Sequence, residues 1–309
     1  MKAIVTGGAG FIGSHLVHEL LRKGHHVLSI DDYSAGTDAN LPHHRNLYRL
    51  GRDILDIDRL PFLGAEVVFH NAASKKVISS KDPRRDLDVN AAGTLHLLQL
   101  CAQSGVKRFI HASTGSVYGQ PIDFPQTEDH PRNPISPYGI SKMAGEAYVK
   151  IFHGRLGMTT TILRYFHVYG PRQNKEVGMG GVVGIFCDRA FNRLPLTLHG
   201  DGSQQRAFTY VADIVSANML VLDRTEAGGE AYNCCSGVSV TVRDMGELLL
   251  RMVHPEDEDF HFNVTQPRSG EVYKFDVSNK KLDTLLGEEF TWTTLYDGLM
   301  RTLQWYRQT

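Results

Sequence analysis

A short apolar strand that runs straight into a glycine-rich turn and then a helix leaves a chain few folds to choose from. Residues 1–13, MKAIVTGGAGFIG, have that form. The turn reads Gly7-x-x-Gly10-x-x-Gly13, and a helix is expected at 12–23. Gly7 permits the tight turn, Gly10 lets backbone approach a bound phosphate, and Gly13 lets the helix close on the strand. The free N–H groups of the helix start, and the positive end of its dipole, then face an anion. After Gly24 comes a second apolar strand, His26–Ile30, followed by Asp31-Asp32. An acid about 20 positions past the glycines accepts hydrogen bonds from a ribose 2′-hydroxyl. Strand, turn, helix, strand and acid in this order point to a bound dinucleotide. Two carboxylates would repel a 2′-phosphate and no arginine follows at once, so the expectation is NAD rather than NADP.

The same alternation continues. Strands are expected at 2–6, 26–30, 46–50, 66–70, 107–112 and 160–165, with helices at 12–23, 86–104 and 139–155. Short apolar strands alternating with helices argue for a parallel sheet covered on both faces, and right-handed crossovers then give a doubly wound, Rossmann-type α/β topology. The second half is less regular: a glycine-rich stretch from Gly178 to Gly181, helices at 182–193, 212–222, 242–253 and 294–307, and strands at 196–199 and 231–235. That pattern suggests a cofactor domain over residues 1–165. Residues 166–309 would form a smaller C-terminal α/β lobe, with segments returning to the first domain.

Net charge of −1 offers no positive field to gather phosphates, so nucleic acid is not an expected partner. No apolar run approaches the roughly 20 residues that span a bilayer, and the apolar N-terminus is the first strand rather than a leader, so a cytoplasmic protein is expected. Cys101, Cys187, Cys234 and Cys235 have no metal-ligand spacing; free, buried thiols and no metal are expected.

A second signal is Tyr138-Gly-Ile-Ser-Lys142. Near a helix start, a tyrosine and a lysine four residues apart share one face. A phenol with a pKa near 10 is a poor base at neutral pH; a nearby ammonium, with the positive nicotinamide of bound NAD, would favour its phenolate. Alone the pair reads as an ordinary surface pair. Upstream, however, Ala112-Ser-Thr-Gly-Ser-Val-Tyr-Gly119 follows an apolar strand and brings hydroxyls to the same end of the sheet. Together these make a hydride-transfer site with a tyrosine base and a hydroxyl that orients the substrate.

Several stretches strengthen this: TGGAGFIGSHLV at 6–17, HNAASK at 70–75, STGSVYG at 113–119, SPYGISK at 136–142, LRYFHVYGPRQ at 163–173, LTLHGDGSQQRAFTYVAD at 197–213 and PRSGE at 267–271. In this order, over almost the whole chain, they resemble the extended short-chain dehydrogenases/reductases, specifically the NAD-dependent nucleotide-sugar epimerase/dehydratase family. The resemblance implies Tyr138 as base, Lys142 as its partner and Thr114 as the catalytic hydroxyl. It implies cofactor contacts at Gly7, Gly10, Phe11, Ile12, Gly13, Asp31, Asp32, Asp53, Ala72, Ala73, Lys75, Asn90 and Lys142. Arg206 and Arg268 match arginines that grip the nucleotide diphosphate, for which a planar guanidinium is suited. Alone, either arginine reads as a surface ion pair.

Family members that remove water carry Asp-Glu after the catalytic Thr, and decarboxylases carry Glu at the second of these positions. Here Gly115 and Ser116 stand there, and neither does acid–base work near pH 7. What remains suffices for 4-epimerisation of a nucleotide sugar, UDP-linked, through a transient 4-keto sugar. A dehydratase or other 4-keto-sugar enzyme is the alternative, and an NAD-binding sensor or scaffold is the non-enzymatic one. His167 departs from the family's usual asparagine at a substrate position. Phe275, seven residues past Arg268, matches a position bordering the sugar C2 substituent, where bulk would exclude an N-acetyl group. Family members pair through two helices per subunit; the equivalents at 86–104 and 139–155 predict a homodimer, with Leu95, Leu98, Cys101 and Ala102 as its surplus apolar surface.

Overall fold

The computed structural model describes residues 1–176, 180–257, 260–267 and 272–308. Arg268, and Gly178 and Met179 of the glycine-rich stretch, lie outside the described residues.

Six strands follow the expected alternation: β1 (Lys2–Thr6), β2 (His26–Asp31), β3 (Leu47–Gly51), β4 (Val67–His70), β5 (Arg108–Thr114) and β6 (Thr159–Tyr165). A seventh, Ala231–Cys234, comes from the second half of the chain and pairs with β6. Across the sheet the order is Ala231–Cys234, β6, β5, β4, β1, β2, β3, and every neighbouring pair is parallel. The reversal of order between β1 and β4 opens the crevice at the strands' carboxyl ends where ligands of such sheets bind.

Both faces of the sheet are covered, which is why β4 reads as an unbroken buried run rather than an alternation. On one face α1 (Phe11–Arg22) buries Leu16, Val17, Leu20 and Leu21 beside the helix Val211–Leu222. On the other, the helices Thr94–Ser104 and Pro137–Phe152 lie over Leu97, Leu98, Phe109, Val149 and Ile162. A third core, including Phe186, Leu196, Leu198, Met245 and Leu249, fills the lobe built by the second half.

The helix expected at 86–104 is three pieces: Pro83–Leu87, a wide π turn over Asp88–Gly93, and Thr94–Ser104. The Thr94 hydroxyl donates to the Asn90 carbonyl at 2.7 Å and competes with the regular ladder. Such turns are frequent at functional sites. The expected surplus apolar surface needs correction. Leu98 and Cys101 are fully buried in the chain's own core, while Leu95 and Ala102 are half-buried. The large exposed apolar side chains of the Pro137–Phe152 helix are instead Ile140 and Ile151. Among the described residues no helix is long and apolar enough to cross a membrane, and no cluster of metal-binding side chains occurs. All four cysteines are free and buried.

Candidate active site

Two cavities open at the carboxyl end of the sheet. The first, about 420 Å³, runs along the glycine-rich turn. Gly7 takes a positive φ of 66°, and a Cβ at Gly13 would stand 2.0 Å from the Gly7 carbonyl oxygen, so helix and turn touch backbone to backbone. No side chain caps the start of α1, which leaves its first N–H groups for an anion. The shape and the donors fit a dinucleotide: a cradle no side chain could enter, a helix N-terminus and acids beyond it. Of the residues expected to contact the cofactor, Gly7, Gly10, Phe11, Ile12, Gly13, Asp31, Asp32, Asp53, Ala72, Ala73, Lys75 and Lys142 all line this cavity.

Their individual roles differ from the simplest reading. The Asp31 carboxylate accepts from the backbone N–H of Ala9 at 2.9 Å and of Tyr33 at 2.8 Å, holding the turn to β2. Burial pushes this carboxyl up, and those hydrogen bonds oppose it. Asp32 and Asp53 both meet the guanidinium of Arg85, a cavity residue the sequence did not single out. Asn90 is fully buried behind the residues that line the cavity. Its side-chain carbonyl accepts from the Ser74 N–H at 2.9 Å. Its amide nitrogen lies within 3.3 Å of the Ser74 carbonyl, Asp86 and Ser141. With its donors so occupied it braces the loop carrying Ala72, Ala73 and Lys75.

The second cavity, about 720 Å³, lies between the sheet end and the C-terminal lobe. It is lined by Thr114, Tyr138, His167, Arg206 and Phe275, as the sequence led one to expect; the remaining expected residue, Arg268, lies outside the described residues. Lys75, Tyr138 and Tyr165 line both cavities. Thr114 is the last residue of β5, and Ser136 caps the helix Pro137–Phe152 by accepting from the Gly139 N–H at 3.1 Å, with proline at the first helical position. These two element ends bring Tyr138 to the same cavity wall as Thr114, near enough for the threonine to favour the phenolate.

Burial pushes Tyr138 up to about 12, the neighbouring Thr114 opposes this, and the Asp86 charge adds to it. Burial also pushes Lys142 down to about 8, opposed by Glu146 and Asp86. Glu146 lies one more turn along the same face, a spacing of 138, 142 and 146 that the sequence displays. It accepts from Ser113 at 2.6 Å and from Arg164 at 2.8 and 2.7 Å, entirely buried. Burial raises this carboxyl, but the bonds and charge of Arg164 outweigh it and hold it low. Arg164 also donates to the Tyr118 hydroxyl at 2.7 Å, which donates to Asn233 at 2.6 Å. A buried chain of bonds thus ties the catalytic helix to β5, β6 and the strand Ala231–Cys234.

At the far end of the second cavity Arg206 is anchored through the Val272 carbonyl at 2.9 Å, and its guanidinium lies 5.5 Å over the Phe275 ring. The His167 ring meets Phe275 edge-on at 4.8 Å. His167 has φ of 37°, a region that asparagine and histidine enter more readily than most residues.

Compared with known proteins, the chain matches the NAD dependent epimerase/dehydratase family over residues 3–235. The chain belongs to that family. It is 35% identical to a UDP-glucose 4-epimerase of Mycolicibacterium smegmatis over 99% of both chains. A UDP-glucose 4-epimerase of Thermotoga maritima, solved with UDP-glucose, superposes with a TM-score of 0.91 at 36% identity, covering 100% of this chain and 99% of the other. A UDP-glucuronic acid 4-epimerase of Bacillus cereus, solved with UDP-glucuronic acid and NAD, gives 0.90 at 32% identity over 100% and 99%. Decarboxylases and a dehydratase acting on nucleotide sugars also match. As a member of this NAD-dependent enzyme family the protein carries the seven-stranded sheet and the glycine cradle of its relatives' fold. The family resemblance gave no signal for Arg85, Asp86 or Arg164, whose partners are distant in sequence.

Proposed function

We propose that the protein is a nucleotide-sugar 4-epimerase, acting on a UDP-linked hexose or uronate. The observation that carries this reading is the position of Tyr138, on the wall common to both cavities and close to Thr114, with no carboxylate at 115 or 116. When bound, NAD supplies the hydride acceptor and donor. Thr114 orients the sugar C4 hydroxyl, and Tyr138, as its phenolate, takes that proton and as the phenol later gives it back. Lys142 keeps a positive charge beside the phenol. Lys75, where the cavities meet, faces both ligands. Arg206, with Arg268, holds the diphosphate, and residues 166–309 mainly supply the sugar-nucleotide lobe while 1–165 hold the cofactor.

Dehydration asks for an acid at position 115, and packing opposes one. A Cβ there would begin 2.2 Å from the Phe166 ring, so a longer side chain enters only if that ring is displaced. A 4-epimerase needs proton transfer at one hydroxyl only, which the Thr114–Tyr138 pair provides.

Phe275 is nearly buried, between Phe166 and His167. It fills the space where a C2 N-acetyl group would go, so hexoses and uronic acids are favoured over N-acetylhexosamines. Incubating the purified protein with UDP-glucose, UDP-glucuronate and UDP-N-acetylglucosamine tests both parts. Conversion of the first or second to its C4 epimer supports the reading. A preference for the N-acetylated sugar that persists in Phe275→Ser would remove the gate.

A further inference from the structure

Behind the catalytic helix lies a carboxylate that the proposed proton transfer does not use. Asp86, on the short helix Pro83–Leu87, is 1% exposed. Its Oδ2 accepts from the Ser141 hydroxyl at 2.6 Å, and its Oδ1 accepts from the Asn90 amide at 2.9 Å. Ser141 sits inside the Tyr138-Gly-Ile-Ser-Lys142 segment, so the carboxylate is fastened to the backbone turn carrying both the phenol and the ammonium. The charges around it are few. Its own helix supplies Arg84, which is paired with Asp88, and Arg85, which is paired with Asp32 and Asp53. The π turn and the loop before it present the neutral Asn90 and Ser74. The catalytic helix presents Tyr138, Lys142 and, one turn further, Glu146, whose charge is bound to Arg164. The short helix Lys76–Ser79, packed on the same helix, starts from Lys75, which lines both cavities; among the described residues Lys142 is the cation whose charge acts on Asp86.

We propose that Asp86 is a positioning residue that sets the working pH of the Tyr138–Lys142 pair, its fixed negative charge holding Lys142 protonated and restraining ionisation of the phenol. This rests on the epimerase reading for its effect on turnover, but the charge coupling itself does not. The signs follow from Coulomb's law: a buried anion raises the pKa of a nearby ammonium and of a nearby phenol alike. Its effects on Lys142 and Tyr138 both run in that direction. Removing the charge while keeping the shape must then lower both. Whichever group governs the acid limb of the pH–rate profile and whichever the alkaline limb, both limbs move toward acid.

The test is kcat and KM across pH for wild type, Asp86→Asn and Asp86→Glu. The expected result is an acidward shift of both limbs by about one pH unit in Asp86→Asn, their return toward wild type in Asp86→Glu, and little change in KM. A fall in kcat with both limbs unmoved would make Asp86 a brace and overturn the proposal. A second measurement needs neither turnover nor the Asn variant. In protein labelled with carboxyl-¹³C aspartate, the Asp86 titration should move up by about one unit or more when Lys142 is replaced by Met. An Asp86 resonance indifferent to that replacement would equally overturn it. If wild type converts no nucleotide sugar, the epimerase reading fails while this titration still decides the coupling.

Discussion

Replacing Gly13 by alanine asks whether the glycine cradle does what its geometry implies. The new Cβ would stand 2.0 Å from the Gly7 oxygen, 2.8 Å from the Gly7 carbonyl carbon and 3.0 Å from the Gly8 Cα. All three are backbone atoms, so no side chain can rotate away. To reach tolerable contact, α1 must withdraw from the turn by about 1 Å, which carries its first N–H groups with it. A hydrogen bond of about 2.9 Å stretched by that amount passes the limit of useful geometry. Two hydrogen bonds to a charged phosphate, at about 1.5–3 kcal/mol each, correspond to a loss of at least about 100-fold in NAD affinity. Overpacking adds about 1–3 kcal/mol of destabilisation to the free protein. Titration calorimetry with NAD, and thermal melts with and without it, separate the two effects. At Gly10 a Cβ would meet only the Gly7 oxygen, at 3.1 Å, so Gly10→Ala should cost affinity with little change in the free protein's melting point. A Gly13→Ala protein that binds NAD within threefold of wild type would refute the reasoning.

Other outcomes follow from the same geometry. Tyr138→Phe should lower turnover by about 100- to 10,000-fold with NAD binding intact, read by initial rates and calorimetry; more than a tenth of wild-type activity would remove Tyr138 as the base. Arg164→Met leaves the buried Glu146 with only the partly exposed Arg132, 3.4 Å away, to answer its charge, a loss of about 3–5 kcal/mol. At roughly 2 cal/mol/K of unfolding entropy per residue, that lowers the melting temperature by about 5–8 °C, and a calorimetric melt within 2 °C of wild type would contradict it. A homodimer built on the helices Thr94–Ser104 and Pro137–Phe152 should use Ile140 and Ile151. Light scattering at micromolar concentration should give twice the 34.5 kDa chain mass, and Ile140→Asp with Ile151→Asp should return the monomer; a wild-type monomer would contradict it.

The parts of the fold that were legible in the sequence are those with local causes. The Gly7–Gly13 turn and the β1–α1–β2 unit need only neighbours in the chain, and their limits agree with the structure to within a residue or two. The Tyr138–Lys142 pair was visible because helical spacing places both on one face. What the sequence hid depends on pairing over distance. Strands of two to four residues, such as Val168–Tyr169 with Thr209–Tyr210, and Phe262–Thr265, which pairs with the expected Leu196–His199, are too short to show a period. Asp86 and Arg85 occupy adjacent places in a run of charged residues that reads as a solvated face, yet one is buried beneath the catalytic helix and the other spans two acids. Asn90 was legible as a motif residue, but the partners of its amide, Ser74, Asp86 and Ser141, were not. The depth at which the fold buries the Tyr138 phenol and the Lys142 ammonium, which pushes the first up and the second down, is likewise a product of packing that helical spacing does not display.

The central claim is that the Thr114–Tyr138 pair, lacking an acid at 115 or 116, inverts C4 and does nothing more to the sugar. The most direct measurement is the product formed from UDP-glucose and from UDP-glucuronate, followed together by mass spectrometry and proton NMR. The account predicts a product of unchanged mass whose only altered couplings are those of C4, in equilibrium with its substrate. A product lighter by water or by carbon dioxide, from either substrate, would contradict it.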